Sequence, residues 1–249
     1  YCDFAGYSDI AVGSAKILGF DLMTNFKRPF LGRSMAGIWA RWHLSLTTWF
    51  RDYLFTPMIR KRVSWKFAFI AIYVISGLWH GANYTFIIWG VYNGGIIVLS
   101  RMMPKTRAFI HGLTGLAKYP KLDKFVDQIV TFLIFCVPSM FFRAPDIGLA
   151  LDMFASQFVD LIPSLLAVQA EGWSHIFLLD QSAATWVVAL SGLAVLLFVD
   201  HYEEKHNDSL HNLLDKFPKP ARFALYIATC ILVVAFSGTV QEPFIYFRF

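Results

Sequence analysis

Two uncharged runs, Phe67–Trp79 and Thr85–Ser100, are joined through Ser76-Gly77-Leu78-Trp79-His80-Gly81-Ala82-Asn83, and this junction constrains the fold more than any other stretch. Apolar runs of this purity belong in a bilayer or a deep core. An imidazole between two glycines at their meeting point is costly. Ionisable side chains at membrane depth face a cavity or the bundle interior and as a rule carry function, so His80 is the first candidate functional residue. The plainer alternative is that it caps a helix or bonds a broken stretch of backbone.

The charges around these runs set a topology. Arg60, Lys61, Arg62 and Lys66 precede them, and Arg101, Lys105, Arg107, Lys118, Lys121 and Lys124 follow. The positive-inside rule puts both basic segments in the cytoplasm, so Phe67 to Ser100 has to enter and return on one side. Its first limb, at 1.5 Å per residue, is only about 20 Å long, short of a hydrocarbon core of about 30 Å. The turn at Gly77 to Gly81 then ends inside the membrane or near its far boundary. Irregular backbone is tolerated there only where protein or a watered cavity surrounds it, and His80 is expected to line that cavity.

Composition agrees with a bilayer. Hydrophobic residues make up 57% of the chain, charged residues 16%, and the mean hydropathy is +0.52. The net charge of +5 is small and scattered, which argues against nucleic acid as a partner. Cys2, Cys136 and Cys230 show neither CxxC nor Cys/His metal spacing, so no metal or disulfide is expected. The chain opens at Tyr1-Cys2-Asp3 without an initiator Met, and further residues are expected upstream.

Along the chain, Phe4 to Phe20 reads as a span packed in a bundle or the end of one. Its small residues Gly6, Ser8, Ala11, Gly13, Ser14 and Ala15 permit close helix approach, and Asp9 is a candidate for pairing with a cation. After Pro29 and Gly32 the sequence predicts one amphipathic helix at the interface, with Met35, Ile38, Trp39, Trp42, Leu46, Trp49 and Tyr53 on one face. Arg41, Thr48 and Asp52 fall on the far side and His43 on the flank, beside Phe50 and Leu54. Phe125 to Phe142 predicts a span. No Lys or Arg occurs from Ala144 to Gln181, which points outside, with a surface helix over Ile147 to Phe158 and a loop containing Pro163, Gly172 and His175. Ala183 to Val199 then returns inward, and Arg222 to Gly238 leads outward to the tail Gln241 to Phe249. His201, His206 and His211, in an expected mixed-charge loop from His201 to Arg222, recur at a spacing that does not share a helix face, so metal binding is not expected there.

The runs Asp3-Phe4-Ala5-Gly6-Tyr7-Ser8-Asp9-Ile10-Ala11, Asn25-Phe26-Lys27-Arg28-Pro29-Phe30, Arg41-Trp42-His43-Leu44-Ser45-Leu46, Trp49-Phe50-Arg51-Asp52-Tyr53-Leu54 and Gly77-Leu78-Trp79-His80-Gly81 together resemble the membrane-bound O-acyltransferase (MBOAT) family. Phe142-Arg143-Ala144 and Phe244-Ile245-Tyr246-Phe247 are similar to the bacterial branch typified by the alginate O-acetyltransferase membrane subunit. The resemblance implies an all-α integral membrane protein: a multi-span helical bundle with a re-entrant or broken hairpin and an interfacial amphipathic helix. Residues 1–249 are then one membrane domain, the C-terminal catalytic portion of a longer protein. His80 takes the position of the family's essential histidine, and His43 that of the histidine in its RWH motif.

An acyl group moves from a thioester to a hydroxyl when a neutral base takes the hydroxyl proton, and burial keeps an imidazole neutral. His80 is expected to act as that base or as an acyl-accepting nucleophile. His43 is expected to orient a reactant or polarise the acyl carbonyl, with Trp79, Asn83, Arg41 and Asp9 as neighbours in the cavity. The resemblance further implies acetyl-CoA or another acyl thioester as donor, no bound cofactor, periplasmic acetyltransferase partners and an exported polysaccharide as acceptor, across a bacterial inner membrane. Peptidoglycan O-acetylation and D-alanyl transfer to teichoic acid are the alternatives within the family. A transporter or channel with His80 as proton relay, and a scaffold that recruits soluble partners, are the alternatives outside it.

Overall fold

In a computed structural model, residues 1–159, 163, 183–206 and 210–236 are described. The chain is helical, with no strand among the described residues. Two compact units form, Tyr1–Ala167 and Val168–Phe249.

The first unit is organised by a helical hairpin. Helix α5 (Trp65–His80) and helix α6 (Tyr84–Met102) are separated by the turn Gly81–Asn83. At 1.5 Å per residue the limbs are about 24 and 28 Å long, so the break falls where the sequence suggests but the limbs are unequal. Tyr84–Met102 is long and apolar enough to cross a membrane, as are Pro120–Arg143 and Thr185–His206, whereas Trp65–His80 is shorter.

The two limbs touch backbone to backbone. A Cβ on Gly77 would lie 2.2 Å from the Phe86 carbonyl oxygen, one on Gly90 2.4 Å from that of Tyr73, and one on Gly94 2.9 Å from the Ile70 Cα. Lipid supplies no hydrophobic drive between helices, so association depends on such close packing. The small residues that matter are therefore in the hairpin. Gly6 and Gly13, in the first segment, have no neighbour within 4 Å of a Cβ position.

Around the hairpin lie α1 (Cys2–Ile17), α2 (Met35–Trp39), α3 (Leu44–Phe50), α4 (Thr56–Arg60), α7 (Pro104–Leu113), α8 (Pro120–Arg143) and α9 (Ile147–Val159). A π-helical turn over Arg51–Phe55 joins α3 to α4. The core gathers Met35 and Trp39 of α2, Trp89 and Ile97 of α6, Phe141 of α8, Ala144, and Ala150 of α9. At its centre the fully buried Asn93 accepts from Trp39 Nε1 at 3.2 Å and donates to the Trp89 carbonyl at 2.8 Å. Its polar groups are thus satisfied without water.

The single amphipathic helix expected over Met35 to Tyr53 is not formed. It is broken between Trp39 and Leu44, because His43 adopts a left-handed conformation with φ 44°. The break resets the phase of the apolar stripe. Met35, Ile38 and Trp39 are buried as expected, but beyond it Phe50 turns inward while Trp49 and Tyr53 are exposed.

At one end of the unit, Arg33 donates to Asp127 from Nε at 2.9 Å and from Nη2 at 2.6 Å, and to Asp123 from Nη2 at 2.6 Å. Arg107 pairs with Asp127, and His111 lies against both carboxylates. Such spacing of His111, Asp123 and Asp127 resembles a metal ligand set. Two guanidinium groups already neutralise the two carboxylates, so the cluster works as an ion-pair lock between α7, α8 and the start of α2.

The second unit contains α10 (Ala183–His206), α11 (Leu210–Leu214) and α12 (Lys219–Phe236). The loop expected from His201 is helical through His206. Glu203, Glu204 and Lys205 are fair helix formers, and nothing among them breaks the helix where the apolar run stops. The expected loop around Gly172 and His175 and the tail 241–249 lie outside the described residues.

The glycine contacts give a paired expectation. Gly90→Val should force the hairpin apart and lower the stability of the detergent-solubilised protein by about 1–3 kcal/mol. Gly95→Ala, with nothing within 4 Å, should change it by no more than about 1 kcal/mol, and in the stabilising direction. Thermal unfolding of the two variants measures both; equal losses would contradict the close-packing account.

Candidate active site

His80 is the last residue of α5 and is buried. Its imidazole is enclosed by rings: Trp79 and Phe142 at 4.8 Å between centroids, Trp89 at 5.5 Å and Phe86 at 6.2 Å. The turn that follows is fixed by one side chain. Asn83 Oδ1 accepts from the Thr85 N–H at 3.1 Å, capping α6, while Asn83 Nδ2 donates to the Pro145 carbonyl at 2.8 Å. This amide ties the hairpin tip to the corner beyond α8, the same corner that delivers Phe142.

His43 arrives from a different direction. Its left-handed backbone is rare for a residue with a Cβ, although histidine is among the side chains enriched there. Such a conformation costs about 1–3 kcal/mol and persists only where neighbours over-determine it. Asn25 supplies that constraint: its carbonyl accepts from the Leu44 N–H at 2.9 Å, and its Oδ1 accepts from the Ser45 N–H at 3.0 Å and the Ser45 hydroxyl at 2.7 Å. Lys27 N–H also donates to the Arg41 carbonyl at 2.9 Å. The segment 25–28 thus caps α3 from outside and turns His43 inward.

The two histidines share a neighbour. The buried His43 ring packs at 4.7 Å on Phe4 of α1 and at 6.0 Å on Trp79, the indole that lies 4.8 Å from the His80 ring. Burial pushes the pKa of His43 down to about 4, so this ring is neutral at pH 7. A neutral imidazole offers one donor and one acceptor, which suits it to hold a hydroxyl or polarise a carbonyl.

The other residues singled out from sequence fall in different places. Trp79 touches both histidines and is itself 52% exposed, while both imidazoles are buried. Asn83 acts on the backbone of the turn. Arg41 reaches the Arg28 carbonyl at 3.5 Å. Asp9 is exposed on α1, about 140° around that helix from Phe4. Asn25, Phe4 and Phe142 were not expected at the site. All three belong to runs that carry the family resemblance, but periodicity assigns no role to a loop amide or to single rings on α1 and at the end of a span.

Beside the site lies a cavity of about 370 Å³. Its walls are largely apolar, including Trp39, Phe50, Phe69 and Tyr73, and Arg51 and Arg101 are its charged members. Along α5 it extends from Phe69, whose ring carries the Arg101 guanidinium at 4.6 Å, to Ser76. Ser76 is one helical turn before His80, an axial distance of about 6 Å. Thr47, one turn after His43, completes that end.

Residues 1–142 match the family model of the membrane-bound O-acyltransferases. The chain is 30% identical over 263 residues to the probable alginate O-acetylase AlgI of Pseudomonas putida, covering all of this chain and 51% of the relative. It is 33% identical over 156 residues to the peptidoglycan O-acetyltransferase of Helicobacter pylori, covering 61% of this chain and 28% of the relative. To the teichoic acid D-alanyltransferase of Bacillus subtilis it is 33% identical over 116 residues, 42% of this chain and 29% of the relative. The chain spans about half the length, or less, of these curated relatives. With its matched segment running from α1 through both histidines to Phe142, the chain belongs to the membrane-bound O-acyltransferase family.

Proposed function

We propose that this chain is the catalytic portion of a membrane O-acyltransferase that moves an acetyl group from a thioester donor in the cytoplasm across the membrane towards hydroxyls of an exported polysaccharide. The observation that carries this reading is the convergence of His80 and His43, 37 residues apart in sequence, on one buried aromatic site next to the Ser76 end of the cavity.

The chemistry follows from that arrangement. His80 accepts the acceptor's hydroxyl proton as the hydroxyl oxygen forms a bond to the thioester carbonyl carbon. The resulting tetrahedral adduct collapses with cleavage of the C–S bond, and the imidazolium returns its proton to the departing thiolate. His43 hydrogen-bonds the carbonyl oxygen or the hydroxyl and so orients the reactants. In the variant form of this mechanism the acyl group rests on His80 between donor and acceptor.

The cavity suits the donor. Arg101 fits the anionic part of an acyl thioester, with Arg51 beside it already paired to Asp52, and the apolar wall towards Ser76 fits its uncharged arm. The alginate and peptidoglycan relatives support a glycan acceptor, and the alginate relative, matched over the whole chain, favours an exported polysaccharide. Acceptance on the far side of a bacterial inner membrane, with periplasmic acetyltransferase partners completing the transfer, is part of the same proposal.

Two measurements test it, both with the full-length protein in membrane vesicles supplied with labelled acetyl thioester. His80→Ala should lower transfer of label to glycan at least about 100-fold while insertion in the membrane is unchanged; full activity would remove His80 from the chemistry. Ser76→Leu should fill the inner end of the cavity and reduce transfer about tenfold through a higher donor KM. An unchanged donor KM would detach the cavity from the donor. Inside-out and right-side-out vesicles distinguish the enzyme from a transporter, because only the enzyme leaves covalent label on glycan.

A further inference from the structure

Helix α7 (Pro104–Leu113) is amphipathic in the reverse sense to a helix on a soluble core. Arg107 and His111, one turn apart, form its inward face and engage Asp127 and Asp123, themselves one turn apart on α8. Lys105, Phe109 and Leu113 form a row at helical spacing on the opposite side, about 160–240° around from Arg107. Phe109 is 66% exposed, Leu113 73%, and Ile110 beside them 48%.

Three observations identify what covers this face. First, Arg107 and His111 are already engaged inside the protein, so Phe109 and Leu113 on the outward row are left to an apolar environment. Second, α7 lies between α6 and α8, both long and apolar enough to cross a membrane, which places it at a membrane boundary. Third, the outward charge is of one sign. Lys105, Lys118, Lys121 and Lys124 are exposed, while Asp123, the sole acidic residue from 101 to 124, is turned onto Arg33 and His111. A protein core or a neutral surface would leave these ammonium groups unmatched. A layer of anionic headgroups over acyl chains matches both parts.

We propose that α7 is an interfacial helix seated on anionic phospholipid: Phe109, Ile110 and Leu113 enter the boundary between headgroups and acyl chains, and Lys105 and Lys118 bind headgroup phosphates. The ion-pair lock with Asp123, Asp127 and Arg33 holds the helix flat against the protein in that pose. Lys105 shares the row of Phe109 and Leu113 by helical register, and in this pose its aliphatic stem covers the apolar face while its ammonium reaches the headgroups.

The test uses the full-length protein with Cys2, Cys136 and Cys230 replaced by Ser, a bimane fluorophore at Phe109→Cys, and lipid nanodiscs. Phosphatidylcholine discs carry brominated phosphatidylglycerol or brominated phosphatidylcholine at equal mole fraction. Brominated phosphatidylglycerol is expected to quench at least about twofold more strongly. The double variant Lys105→Glu/Lys118→Glu is expected to abolish that difference while both lipids continue to quench. Equal quenching by the two lipids before charge reversal would overturn the headgroup assignment. Quenching by aqueous iodide in place of lipid, or by neither, would show the face covered by water or by protein and overturn the proposal outright. None of these readouts depends on acyl transfer.

Discussion

The backbone contact between α5 and α6 is the constraint on which the rest of the first unit depends. Gly77, Gly90 and Gly94 remove three Cβ atoms from the interface, and the limbs then approach until a methyl group would strike a carbonyl or Cα. That approach is what a helix pair in lipid can use for stability, since the hydrocarbon is as apolar as the side chains. It also fixes the direction of the residues beyond the contact. His80 closes α5 one turn past Ser76, and its ring is directed onto Trp89 of the facing limb. The turn needs no more than three residues, and Asn83 secures it to both α6 and the Pro145 corner.

A second constraint, independent of the first, brings His43 to the same place. The chain from Asn25 to Arg28 caps α3 through one side-chain oxygen and one carbonyl, and this holds His43 in a conformation that L-residues avoid. Strained backbone retained at a buried, functional-type residue is a recurrent feature of reactive sites, and here the strain turns an imidazole from the flank of a helix towards its partner. Phe4 then packs on His43, Phe142 on His80 and Trp79 on both, so three elements enclose the two rings.

Polar groups inside the unit follow one logic. Asn93 is satisfied by Trp39 and the Trp89 carbonyl, and the carboxylates of Asp123 and Asp127 by two guanidinium groups. In a molecule whose exterior is apolar, such groups act between elements and are expensive to leave unmatched. Asn93 holds α2 to the hairpin, and the carboxylate cluster joins α7, α8 and the start of α2, where hydrophobic burial alone would not choose among orientations.

The sequence by itself determined the class of fold, the position of the hairpin break between the two uncharged runs and a span over Phe125 to Phe142, and it singled out His80 as a candidate. Length, absence of charge and paired glycines are properties of local sequence, and a bilayer reads them directly. Residues of α1 also looked suited to close packing, yet small size only permits contact, and the neighbours that use it were in the hairpin. Tertiary structure alone decided that Met35 to Tyr53 is two helices rather than one, because the left-handed turn at His43 is set by Asn25, 18 residues earlier in the chain. It alone set both histidines against Trp79, placed Phe142 on His80, and turned Arg107 and His111 of α7 onto Asp123 and Asp127. Periodicity reports which face of a helix is apolar; which partner meets that face is settled by contacts between segments far apart in sequence.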